Sequence, residues 1–319
     1  MMDDLEVLKV STEKVQEKII TPKHTLGFIH VPKTGGTWVG ELLGYVDDRT
    51  RYRKEEGLWA KCLTEHRRYY KKYKHCPGYP EMVSLKGFCR ETEEEERGWV
   101  ERRLRDAGEN SMWFACIRNP YDLLSSMYYW NSSMESPHFP PGAPPEAFCE
   151  NFLSPDPKWS TDSWTKDTTF SEEVKSQGPQ IFDKAMEKFL FCQLFRADGT
   201  PKVDFVLRYE KINEGMRHIL QQITNFPISH IDEITEKLDK NSNPQKKLMY
   251  KEWYDTCPHV MPKLYHRFRR ECQAFGYSFD GPADDAMFLD ISGLRYDPVN
   301  DRVNILYPIQ PVRVEFRDE

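Results

Sequence analysis

Two stretches of this chain concentrate residue types that hold phosphate-like anions. The first is Pro32-Lys33-Thr34-Gly35-Gly36-Thr37-Trp38. A glycine turn feeding a helix start gathers free backbone N–H groups at the positive end of the helix dipole, which makes an anion cradle. Lys33 adds a mobile cation, and Thr34 and Thr37 add hydroxyl donors. The second stretch is Arg118-Asn119-Pro120-Tyr121-Asp122, with Ser126 further along the same segment. A guanidinium is a bidentate donor for phosphate, and a hydroxyl on the following helix can face the same crevice. Taken alone, each stretch has a plainer reading: a helix N-terminus that binds nothing, and an arginine that closes a strand end.

The surrounding pattern supplies elements to position these groups. An apolar run at 26–31 predicts a short buried strand, followed by the loop and a helix through Val39, Leu42 and Leu43. Residues 82–88 predict a second short strand, and the continuous apolar run at 112–117 a strand in the middle of a parallel sheet. Arg118 then sits at the carboxyl end of that strand, the side on which open α/β sheets bind ligands, and Pro120 opens the next helix. A strand at 203–207 ends in Arg208-Tyr209-Glu210, with a helix at 216–223 after it. Helices between strands at this spacing imply βαβ units.

Other segments read less specifically. Residues 1–24 predict a polar helix or arm, 58–74 a basic, tyrosine-rich helix, and 91–105 a charged one. Amphipathic helices are expected at 181–195 and 260–275, and a polar helical segment over 229–256. The proline-rich stretch 131–180 reads as a long irregular insertion rather than a core helix or central strand, and its Phe and Trp content suits a binding loop. Alternation of Val303, Ile305, Val312, Val314 and Phe316 predicts a peripheral C-terminal hairpin.

Composition narrows the class. At 319 residues the chain is long enough for one large α/β domain or two modest ones. A net charge of −6 argues against a general nucleic-acid binder, and no apolar run is long enough to span a membrane. The acidic N-terminus lacks the layout of a secretory signal, and the 8 cysteines are scattered singly without metal-ligand spacing. A reduced, cytoplasmic setting is the expectation.

At this point the chain resembles a known family. His30 to Thr37 is similar to the 5′-phosphosulfate loop of sulfotransferases that use 3′-phosphoadenosine 5′-phosphosulfate (PAPS). Arg118 to Asp122 with Ser126 is similar to their 3′-phosphate motif, and the likeness is greatest to the carbohydrate-type (family 2) branch. Val206-Leu207-Arg208-Tyr209-Glu210, Lys240-Asn241-Ser242 and Phe275-Gly276-Tyr277 match later family stretches in order and spacing. The resemblance implies a three-layer parallel sheet flanked by helices, a P-loop NTPase-like α/β fold. The domain would cover 25–280, with 1–24 as an arm, 131–180 as an acceptor loop and 281–319 as an extension packed on it. It implies that PAPS is held by Lys33, Thr34, Gly35, Gly36, Thr37, Trp38, Arg118, Ser126 and Tyr209, the last near the adenine, with no metal.

The implied reaction is in-line transfer of a sulfuryl group to an acceptor alcohol, amine or saccharide, with Lys33 at the bridging oxygen of the leaving phosphate. Relatives often carry a histidine or glutamate as base at the end of the second strand. Here that region reads Lys86-Gly87-Phe88-Cys89-Arg90-Glu91, so Glu91, then His75 and His66, are the candidates. Two rival classes stand beside this reading. A P-loop kinase needs lysine after the glycines and an acidic magnesium ligand, whereas the strand ending at Ile117 delivers Arg118. A non-catalytic nucleotide-binding module is the other. The acceptor and the oligomeric state are not legible.

Overall fold

A computed structural model describes residues 16–20, 25–31, 33–36, 38–39, 42, 82–86, 111–133, 142–154, 189–191, 194–196, 198–224, 232, 248–297, 300 and 302–316. Its strands are β1 (Gln16–Ile20), β2 (Thr25–His30), β3 (Met82–Lys86), β4 (Ser111–Ile117), β5 (Phe205–Arg208), β6 (Tyr277–Ser278), β7 (Gly281–Pro282), β8 (Phe288–Asp290), β9 (Leu294–Asp297), β10 (Arg302–Ile305) and β11 (Gln310–Phe316). Beside the helix that follows β2, the helices are α1 (Pro120–Ser133), α2 (Pro145–Leu153), α3 (Ile212–Thr224), α4 (Tyr250–Asp255) and α5 (Met261–Phe275).

Strand β4 shows why its sequence is continuously apolar. Trp113, Ala115 and Ile117 fall in one buried cluster, while Met112, Phe114 and Cys116 fall in another. Successive side chains point to opposite faces, so both faces of this strand are covered. Strands β3, β2, β4 and β5 run parallel side by side. The register pairs Ile29 with Ala115 and Ile117 with Arg208, so the carboxyl ends of β2, β4 and β5 lie next to one another. That common end carries the 31–36 loop, Arg118 and Tyr209.

The seven-stranded sheet has the order β1-β11-β8-β5-β4-β2-β3. It is mixed, not wholly parallel: β8 pairs antiparallel with both β5 and β11, and β1 pairs parallel with β11. The expectation of a peripheral C-terminal hairpin therefore needs correction. β9 and β10 do form a two-stranded antiparallel ribbon, but β11 is an inner strand of the main sheet. The alternating tail at 312–316 is half of a two-sided sheet contact, with Val312 and Val314 buried in the same cluster as Phe114. Gln16–Ile20 is likewise a strand and not part of a polar helix, its edge satisfied by β11.

Two further segments differ from expectation. Within the proline-rich 131–180 stretch, α2 is a core helix whose Phe148, Cys149 and Phe152 are buried. Pro144 and Pro145 occupy its N-cap and first turn, where a missing N–H costs nothing, so they start the helix instead of breaking it. Each such buried aromatic stabilises the fold by roughly 1.5–3 kcal/mol. At the end of the expected 181–195 helix, residues 189–191 form a turn. The Leu190 N–H donates to the fully buried Glu271 carboxylate at 3.0 Å, whereas an N–H in a helix interior is held by the carbonyl four residues back. Helix α5 ends where the sequence suggests, at Gly276 in the left-handed conformation (φ 64°). The expected helices at 58–74 and 91–105 lie outside the described residues. Among the described residues no helix is long and apolar enough to cross a membrane.

Candidate functional site

The loop after β2 starts from Val31, whose carbonyl accepts the buried Thr34 hydroxyl at 2.9 Å. Lys33 takes φ +62°, a left-handed conformation that L-residues other than glycine adopt only at a cost of about 1–2 kcal/mol. Here a lysine adopts a backbone that glycine takes more readily. Gly35 is also left-handed, at φ +81°, and a Cβ there would lie 2.6 Å from Ile212 Cδ1 and 2.9 Å from Tyr209 Cδ2. Glycine is required on both grounds. The helix begins at once, with the Val39 N–H donating to the Gly35 carbonyl at 3.0 Å as the first intrahelical bond.

Arg118 joins this loop from the end of β4. Its NH1 donates to the Lys33 carbonyl at 3.0 Å, and the left-handed turn at Lys33 accompanies that contact. Nε and NH2 both reach Asp122 Oδ2, at 2.8 and 2.7 Å. Asp122 is four residues on, one turn into α1, and its carboxylate fixes the plane of the guanidinium. Among the described residues, three of the five N–H groups of Arg118 are engaged, which leaves two for an incoming anion. Ser126 lies on α1 one turn beyond Asp122 and on the same side of the helix, half-buried.

The third wall comes from β5. The Tyr209 ring lies against the Arg118 guanidinium, 4.0 Å from its carbon to the ring centroid, and its edge faces Gly35. Tyr209 thus lies against both anion-binding stretches. The next residue, Glu210, accepts the Asn119 N–H and the Tyr277 O–H, each at 2.9 Å. Two cations, Lys33 and Arg118, act on one another at this point. Burial, and then the neighbouring Arg118 charge, bring the Lys33 ammonium down from 10.5 to about 8. An anion bound beside it would raise that value again.

A sulfotransferase family model matches residues 16–278. The chain belongs to the sulfotransferase family. No curated protein matches it. Membership supports sulfuryl transfer in general terms, and the matched span includes all three strand ends of the site while stopping short of β8 and β11.

Of the site residues expected for this family member, the structure brings Lys33, Thr34, Gly35, Arg118 and Tyr209 into one cluster. Gly36 and Trp38 are helical residues directly after the loop, and among the described residues Trp38 Nε1 is a buried donor without a partner. Thr37, Glu91, His75 and His66 lie outside the described residues. Sequence reasoning assigned no role to Asp122, Asn119, Glu210 or Tyr277. The spacing of Asp122 four residues after Arg118 was a usable signal. The Glu210–Tyr277 contact joins residues 67 apart and leaves none.

Proposed function

We propose that the protein transfers a sulfuryl group from PAPS to a hydroxyl or amine of an acceptor, a small molecule or carbohydrate, on a three-layer, P-loop-like sulfotransferase scaffold. The observation that carries this reading is the 3.0 Å hydrogen bond from Arg118 to the Lys33 carbonyl. It makes one site of two anion-binding stretches 85 residues apart in sequence, as a nucleotide phosphorylated at both ends of its ribose requires. The residues present suit that nucleotide. The loop N–H groups and Lys33 would hold the 5′ end, the two remaining N–H groups of Arg118 with Ser126 the 3′-phosphate, and Tyr209 the side of the base. Trp38 Nε1, without a partner among the described residues, offers one more donor beside the loop.

PAPS supplies a sulfuryl group on a phosphate leaving group. Lys33 and the loop N–H groups stabilise the charge that develops on the bridging oxygen, the role that magnesium shares in phosphoryl transfer. The acceptor is held in line behind the sulfur, and its proton passes to a general base, for which Glu91 and then His75 are the candidates. Transfer of labelled sulfate from PAPS to an acceptor library tests the reading. Lys33→Ala lowers turnover by about 10²-fold, the scale of one oxyanion donor; near-normal turnover in that variant contradicts it.

A further inference from the structure

Glu210 is exposed at the carboxyl end of β5, where water could solvate it, yet both of its carboxylate oxygens are committed within the protein. Oε1 accepts the backbone N–H of Asn119, and Oε2 accepts the hydroxyl of the buried Tyr277. Burial and then the Glu210 charge push the Tyr277 phenol well above its ordinary value, so it stays a donor throughout the neutral range. Asn119 is equally committed. Its Oδ1 accepts the Tyr121 N–H at 3.0 Å, its Nδ2 donates to the Ser278 carbonyl at 2.8 Å, and its carbonyl accepts the Leu123 N–H at 2.8 Å. Residues 118–121, 209–210 and 277–278 therefore form one hydrogen-bonded knot. The residues leading out of that knot toward the nucleotide site are Arg118 and Tyr209, stacked at 4.0 Å.

We propose that Glu210 is a positioning residue for the nucleotide: by bridging the Asn119 N–H and the Tyr277 hydroxyl it fixes Arg118 against Tyr209 at the angle that receives the 3′-phosphate. With both oxygens occupied by protein donors, the carboxylate acts through its neighbours and not on the reacting atoms. Fixing a long cation before the ligand arrives removes an ordering cost from binding, which is where the effect shows. The inference rests on the nucleotide reading given above.

The test is calorimetric binding of adenosine 3′,5′-bisphosphate to the full chain, alongside PAPS kinetics and thermal melts, for Glu210→Ala, Glu210→Gln and Tyr277→Phe. Glu210→Ala weakens bisphosphate binding by roughly tenfold, the factor of one charge-assisted hydrogen bond, and raises KM for PAPS equally while kcat at saturation holds. Glu210→Gln restores most of the affinity, because its Oε1 still accepts the Asn119 N–H and the Tyr277 hydroxyl can turn to accept from Nε2. Should the alanine variant fail to fold, Tyr277→Phe reads the same contact by loss of one oxygen, with a severalfold weakening. A lowered melting temperature with unchanged bisphosphate affinity overturns the proposal, as does a fall in kcat at constant KM. A wild-type chain that does not bind the bisphosphate overturns the nucleotide reading itself, and the proposal with it.

Discussion

Raising the pH above neutrality strips the Lys33 charge from the free protein before any ordinary lysine titrates. Burial and Arg118 place its pKa at about 8, so the charged fraction falls from about nine-tenths at pH 7 to about one-tenth at pH 9. A bound phosphate raises that pKa again by supplying the opposite charge, and its own second ionisation, near 6, is complete throughout this range. Binding thus takes up a proton above pH 8, and affinity for adenosine 3′,5′-bisphosphate falls about tenfold between pH 7 and pH 9. Stability of the free protein moves the opposite way. The unfolded chain, with its lysine at 10.5, binds more protons than the native one, so this group's contribution rises with pH from about 8 to 10.5. Calorimetry at constant ionic strength in buffers of different ionisation enthalpy reads both the affinity and the proton uptake. Lys33→Arg, which does not titrate in this range, gives a flat profile. A flat wild-type profile, or the same slope in the arginine variant, refutes the reasoning.

Other perturbations follow from the packing. Gly35→Ala puts a Cβ at 2.6 Å from Ile212 and 2.9 Å from Tyr209 at φ +81°. It costs about 1–3 kcal/mol in urea unfolding and weakens nucleotide binding by displacing the Tyr209 ring. Asp284→Ala removes the carboxylate paired with the buried Arg208 of β5 and costs about 3 kcal/mol in the same assay, because an uncompensated buried charge is left. A 1–280 fragment lacks β8 and β11, which stand between β5 and β1, and gives no cooperative thermal transition. A fragment that melts cooperatively and binds the bisphosphate contradicts the placement of those strands.

The half of the site that was legible in sequence is the half built locally. Strand, turn and helix start follow one another within His30 to Val39, so residue order alone puts backbone donors around one point. Arg118 is likewise placed by the strand that ends just before it. What escaped depends on contacts distant in sequence. β8 is a three-residue strand whose pairing with β5 joins residues some eighty positions apart, and no local pattern signals it. The tail at 310–316 alternates as any two-faced strand does, and alternation does not say which sheet it enters. The prolines at 144 and 145 look irregular by composition, and only their place just ahead of Phe148 and Phe152 marks them as the start of a helix. The left-handed Lys33 is a tertiary choice, in which Arg118 holds its carbonyl.

The central claim is that Lys33 and Arg118 grip opposite ends of one nucleotide. The most direct measurement compares the affinities of adenosine 3′,5′-bisphosphate and adenosine 5′-monophosphate, without magnesium, in the wild-type chain and in Arg118→Ala. The wild type favours the bisphosphate by at least about tenfold, since a guanidinium–phosphate pair is worth a charge-assisted hydrogen bond or more, and Arg118→Ala abolishes the preference, while loss of its contact to the Lys33 carbonyl changes the binding of both ligands alike. Equal affinities in the wild type, or a preference that survives the loss of Arg118, contradict the account.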